Sequence, residues 1–196
     1  SLGTDAYLTA NASQTPVILF VGEPAECRYS VNNERFENMQ TGCTTQSTPN
    51  GQGTYECHFG DSTTNAGPMI EGFALGPGDT GYAFFKCQDL SGNANKESFT
   101  LTLHGTKELA ISSIQPTGEI FTSLNQQNIT LKVTTAQGAD LNGNAVCRYT
   151  DQEALQNNQA AMVQFLNTNG SIHTQPLTLA AGAHTYYVLC ADKAGN

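Results

Sequence analysis

Tryptophan is absent from this chain of 196 residues, and charge is scarce, with Asp, Glu, Lys and Arg making up 13%. Basic residues are the scarcest: 8 stand against 17 acidic ones, a formal net charge of −9. That shortage excludes a nucleic-acid partner, whose phosphates need clustered Lys and Arg. It also excludes binding to an anionic lipid surface, which needs the same cations. No run approaches the ~20 apolar residues of a membrane span, so no membrane insertion is expected. The run Val17 to Val21 has the length of a strand. The sequence does not open on a basic segment followed by an apolar one, so any signal peptide is expected to have been removed.

Motifs for chemistry are lacking too. No C-x-x-C pair or H-E-x-x-H is present to hold a metal, and no G-x-S-x-G to present a nucleophile. Gly76-Pro77-Gly78-Asp79-Thr80-Gly81 fits G-x-G-x-x-G by letter, but it precedes a predicted strand where phosphate binding requires a helix, so it is expected to be a turn. His58, His104, His173 and His184 have no paired spacing. Glu23, Glu26, Glu34 and Glu37 gather loosely around the first cysteine and are expected to form a solvated rim. We expect no catalytic residue, no metal, no cofactor and no enzymatic activity.

What the chain does have is six cysteines and an internal repeat. Glu26-Cys27-Arg28-Tyr29-Ser30 matches Val146-Cys147-Arg148-Tyr149-Thr150. Cys87-Gln88-Asp89-Leu90-Ser91-Gly92-Asn93 matches Cys190-Ala191-Asp192-Lys193-Ala194-Gly195-Asn196, each after an aromatic run, Tyr82 to Lys86 and Tyr186 to Leu189. The repeat pairs Cys27 with Cys87 and Cys147 with Cys190. Cys43 and Cys57 then form a third pair inside an insertion of the first copy. An even count in a weakly charged chain points to disulfides and an oxidising compartment. With every cysteine paired, no thiol remains as nucleophile. In D-x-x-G-N, Asp favours the start of a turn while Gly and Asn tolerate positive φ; one Asp supplies too few oxygens for Ca²⁺.

Short β-branched and aromatic runs separated by Gly, Asn, Pro and Thr predict an all-β chain. In the first copy they are Val17–Val21, Ala25–Ser30, Thr54–Phe59, Met69–Ala74, Tyr82–Cys87 and Glu97–His104. In the second they are Leu109–Ile114, Ile129–Thr134, Ala145–Tyr149, Met162–Leu166, Gln175–Leu179 and Thr185–Cys190. Asp151 to Ala161 alone suits a helical turn. The spacing predicts sandwiches, with a junction at Gly105-Thr106-Lys107. The expected organisation is an N-terminal extension over 1–10, a first domain over 11–105 and a second over 106–196.

The doubled C-R-Y … C-x-D-x-x-G-N pattern resembles the immunoglobulin-like and fibronectin-like repeats of prokaryotic cell-surface proteins. The likeness covers nearly the whole chain and implies two tandem immunoglobulin-like sandwiches on an extracellular, cell-surface protein. The buried Trp of antibody-type domains is missing, so antibody-type domains are excluded. The fold hosts many functions, so it does not choose among them.

The two copies differ at their last strand. In the first, Phe99, Leu101 and Leu103 alternate with polar residues after the turn, as a half-buried strand should. The second stops at Asn196, inside the same turn, and is expected to lack that strand. An open groove of this kind accepts a strand from a neighbour. Leu2, Thr4, Ala6, Leu8 and Ala10 fall on one face of the N-terminal segment and make it a candidate donor; the same segment also reads as the first strand of its own domain. Head-to-tail donation between copies builds a filament. The architecture resembles the donor-strand-complemented pili of bacteria and the thread-like and bundling surface filaments of archaea, implying a structural subunit. The alternative is an adhesin or glycan-binding module with its site in Thr44 to Glu56. Asn11, Asn128 and Asn169 head N-x-Ser/Thr sequons, candidate glycosylation sites on a secreted glycoprotein.

Overall fold

The computed structural model describes residues 5–60, 67–121 and 124–196, the side chain of Thr41 excepted. It is all-β, and the chain separates into two compact units, Ser1–Gly105 and Thr106–Asn196.

Unit 1 contains β1 (Asp5–Tyr7), β2 (Gln14–Thr15), β3 (Val17–Val21), β4 (Ala25–Ser30), β5 (Gln40–Thr44), β6 (Tyr55–Phe59), β7 (Ile70–Glu71), β8 (Thr80–Asp89) and β9 (Phe99–His104). One sheet runs β1-β9-β8-β4-β5, and β3–β6 and β2–β7 form two separate pairs. Alternation explains β4: Ala25, Cys27 and Tyr29 point inward and are buried, while Glu26 and Arg28 share the outer face and pair at 2.7 Å. Pro16 lacks the N–H a ladder needs, and the chain changes partner there, from β7 before it to β6 after it. Tyr29, Phe59 and Phe85 meet at the centre with ring centroids 5.5 to 6.2 Å apart. The Tyr29 hydroxyl accepts the Glu71 backbone N–H at 3.1 Å, satisfying its polar end.

Unit 2 contains β10 (Leu109–Gln115), β11 (Gln126–Gln137), β12 (Val146–Thr150), β13 (Val163–Gln164), β14 (Ile172–Ala180) and β15 (Tyr187–Ala191). They form two three-stranded sheets, β10-β11-β14 and β13-β12-β15. The sheets pack as a sandwich around Leu131, Val133, Cys147 and Phe165. His173, 0% exposed, lies in the same interior. Its Nε2 lies 2.9 Å from Thr135 Oγ1 and its Nδ1 2.8 Å from Thr168 Oγ1.

Several strands are shorter than the sequence predicts. Met69–Ala74 yields only β7, because Gly72 adopts a φ of +95° and turns the chain after Glu71. Met162–Leu166 yields only β13: a 3-10 turn over Gln159–Ala161 delivers the chain to β12, and Asn167 has already crossed to bridge Thr174. Asp151 to Ala161 holds that turn and a second at Glu153–Leu155. The Cys43–Cys57 segment runs between two sheets of unit 1. Cys43 lies in β5, inside the main sheet of unit 1, and Cys57 in β6, whose partner is β3. Their bond therefore ties the five-stranded sheet to the β3–β6 pair.

Candidate functional site

Disulfides join Cys27 to Cys87, Cys43 to Cys57 and Cys147 to Cys190, and no described cysteine is free. The doubled motif has one geometry in both units. Cys27 stands opposite Cys87 on adjacent strands, and Tyr29 opposite Phe85. Cys147 stands opposite Cys190, and Tyr149 opposite Val188. Each bond staples neighbouring strands of one sheet, with Cα atoms 4.0 Å apart in both.

The turn that follows is also common to both. Asp89 Oδ1 accepts the Ser91 and Asn93 backbone N–H groups at 2.8 Å, and its Oδ2 accepts from the Asn93 amide. Asp192 Oδ1 accepts from Ala194 and Asn196, and its Oδ2 from Ala139 and the Asn196 amide. These carboxylates close turns on their own backbone. Hydrogen bonds from Asn93, side chain first, hold the Asp89 carboxyl below its ordinary range. Among the described residues no group of three His, Cys, Asp or Glu is placed to hold a metal ion.

The units differ in what lies beyond this stapled pair. In unit 1, β8 is flanked by β4 on one side and β9 on the other. Tyr29, Ala83, Phe85, Leu101 and Leu103 are accordingly all buried. In unit 2, β15 pairs with β12 alone among the described residues. Tyr149, Tyr186, Val188 and Cys190, at the matching positions or beside them, are only partly buried. Across the sandwich β10 approaches β15. Its register sets Ile111 opposite Thr135 and Ile114 opposite Val133, which puts both isoleucines on the inner face. Each is nevertheless 40% exposed. A bulge between Ile111 and Ser113 lets two residues three apart share that face. The result is an apolar margin beside the Cys190 strand, whose outer edge has no paired strand among the described residues.

Unit 1 is complete at that place but open beside β3. A concavity of about 520 Å³ lies there, lined by Val17, Leu19, Val21, Phe85, Phe99 and Leu101 among others.

The N-terminal segment belongs to unit 1 in the single chain. β1 pairs in parallel with β9, Asp5 opposite Thr102 through Tyr7 opposite His104. The Leu8 N–H donates to the His104 carbonyl at 3.0 Å, and the Leu8 side chain is buried in the core. Ala6 packs against the same core, and Ala10 is half-buried. Leu2 and Thr4 lie outside the described residues. Tyr7 and Asp5 face outward onto His104, the first stacked at 4.8 Å and the second with Oδ1 at 3.2 Å from Nε2.

The other candidates are scattered. Gly76 to Gly81 is a turn in which Asp79 Oδ2 accepts the Gly76 N–H at 2.9 Å. His58 contacts Glu56 at 3.0 Å, and exposed His184 bonds the Ala180 carbonyl. Glu26 pairs with Arg28, while Glu23 and Glu37 are exposed and Glu34 half-buried. The loop before Glu56 closes on itself: Asn50 Oδ1 accepts the Gln52 and Thr54 N–H groups, and its amide donates to Glu56 Oε1 at 2.9 Å. Asn11, Asn128 and Asn169 are all exposed. Asn11 and Asn169 sit at positive φ, 64° and 75°. Asn128 lies on β11, its Oδ1 accepting from Thr178 Oγ1 at 2.8 Å.

Comparison with family models, curated proteins and solved structures gives no match for this chain. The class that stands is an all-β chain of two units carrying three disulfides. Those bonds are compatible with a secreted or extracellular protein. No helix among the described residues is long and apolar enough to cross a membrane.

Proposed function

We propose that this chain is a structural subunit of an extracellular surface filament, assembled head-to-tail by β-strand donation between copies. In this reading both units are immunoglobulin-type sandwiches. The order β10-β11-β14 against β13-β12-β15, with a stapled pair in the second sheet, supports that assignment. The observation that carries the function is the margin of unit 2. Val188 and Cys190 on one sheet and Ile111 and Ile114 on the other stay partly exposed where unit 1 has β9, with Leu101 and Leu103 buried. An unpaired edge beside apolar side chains is a seat for an extended segment, which supplies ladder hydrogen bonds and alternate side chains together. Ala6 and Leu8, with Leu2 and Ala10, give the N-terminal segment the required alternation. Donation from one end to the other is a heterologous contact and propagates when it does not close. The role is mechanical and involves no turnover. Glycans on Asn11, Asn128 and Asn169 would coat the exposed faces.

Negative-stain microscopy of the full chain, compared with a chain lacking residues 1–10, tests this. The deletion is expected to abolish filaments. A synthetic peptide of residues 1–12 in excess is expected to cap growth and to slow hydrogen exchange in β15. Filaments that persist after the deletion overturn the reading.

A further inference from the structure

The contacts of β1 with β9 have a consequence for assembly. The side chains that donation would place in another copy's unit 2 are Ala6 and Leu8, and in the single chain these two already pack into the core of unit 1. One face of one segment cannot occupy both seats, so the docked and donated states exclude each other. The ladder that holds the docked segment is short. β1 spans three residues and lies at the edge of its sheet, beside β9. Its pairing is parallel, the weaker ladder per residue. Besides the ladder and the packing of Ala6 and Leu8, the contact includes His104, which stacks on Tyr7 and reaches Asp5.

We infer that β1 is an autoinhibitory latch: docked on β9 it holds the free subunit unassembled, and a copy becomes a donor only when β1 leaves. The inference rests on the strand-donation reading. It adds that the rate of assembly is set by opening at His104, a residue in neither the donated segment nor the unit 2 margin.

Two measurements on the full chain decide it. His104→Ala removes the stack and the Asp5 contact and leaves donor and acceptor sequences unaltered. It is expected to speed filament growth roughly fivefold, the factor that about 1 kcal/mol of lost ring contact carries. His104→Gln serves if the alanine variant unfolds, with the folding of each variant checked by a thermal melt. Hydrogen exchange is the second measurement: amides of Thr102–His104 facing β1 are expected to be protected in the free subunit and to lose protection in filaments. Wild-type growth rates in folded His104 variants overturn the latch, and so does protection that persists in the filament. Filaments that require residues 1–10 yet show either result sink the latch alone; filaments that form without residues 1–10 sink strand donation itself.

Discussion

Lowering the pH should weaken unit 2 through one residue, His173. Its two ring nitrogens sit in an ordered chain of donors. Thr135 Oγ1 donates to the Gly143 carbonyl, so it must accept from His173 Nε2–H. Thr168 Oγ1 accepts the Cys147 N–H, and of the two acceptors within reach of its proton, His173 Nδ1 at 2.8 Å is nearer than the Ala145 carbonyl at 3.3 Å. The ring is therefore neutral, with Nδ1 as an acceptor. Burial pushes its pKa below the ordinary value of 6.5. A depressed folded-state pKa contributes stability that is fully present above the unfolded value and is lost as pH falls below it, because the unfolded chain takes up the proton first. Between about pH 7.5 and 5.5 one such group removes at most about 1.4 kcal/mol. For a unit of this size that lowers Tm by roughly 5–10 °C. Calorimetry at the two pH values, repeated on His173→Gln, isolates the effect, since the variant should lose that share of the pH dependence. An imidazole resonance of His173 titrating near its ordinary midpoint in the folded chain would refute the reasoning.

Other outcomes follow from the staples and the turns. Replacing Cys43 and Cys57 by Ala releases a loop of 14 residues, which should cost unit 1 about 3 kcal/mol in urea titration. Replacing Cys147 and Cys190 releases a separation of 43, worth about 4 kcal/mol on the same scale. The matching loss in unit 1, across a separation of 60, is similar in size. Only in unit 2 should it also detach a strand with no second neighbour, seen as full hydrogen exchange in β15. Gly143→Ala puts a methyl against the Thr135 carbonyl at a φ of +78°. It should cost about 2 kcal/mol or more and loosen His173, read by the same calorimetry.

Much of this fold was readable because the doubled motif encodes a cross-strand register. C-R-Y and the aromatic run before the second cysteine alternate with period two, so Cys and Tyr on one strand must meet Cys and an apolar residue on the other. Cys27 opposite Cys87 and Tyr29 opposite Phe85 are that register. The role of β5 was not readable. Gln40-Thr41-Gly42-Cys43-Thr44 is too polar and too short to announce a strand, and its place is fixed by pairing with β4 and by the bond from Cys43 to β6. A methyl on Gly42 would collide with the Cys27 carbonyl, a close approach that no local pattern reveals. The shared face of Ile111 and Ile114 was hidden for a related reason. Residues three apart look out of phase for a strand, and only the bulge brings them to one face.

The asymmetry between the units also bears on why the motif ends in D-x-x-G-N. A strand with a single neighbour frays unless something other than a ladder holds it. β15 has two such restraints. At Cys190 a covalent bond fixes it to β12. Two residues later Asp192 Oδ2 accepts the Ala139 N–H at 2.6 Å, tying the turn to the segment after β11 in the opposite sheet. Asp89, at the same place in unit 1, spends its carboxylate within its own turn, where β9 already braces β8. The two turns share a sequence, yet only the unit with the open margin uses its aspartate to hold the sheets together. That brace and the Cys147–Cys190 bond hold β15 to both sheets of unit 2, across the sandwich as well as along it.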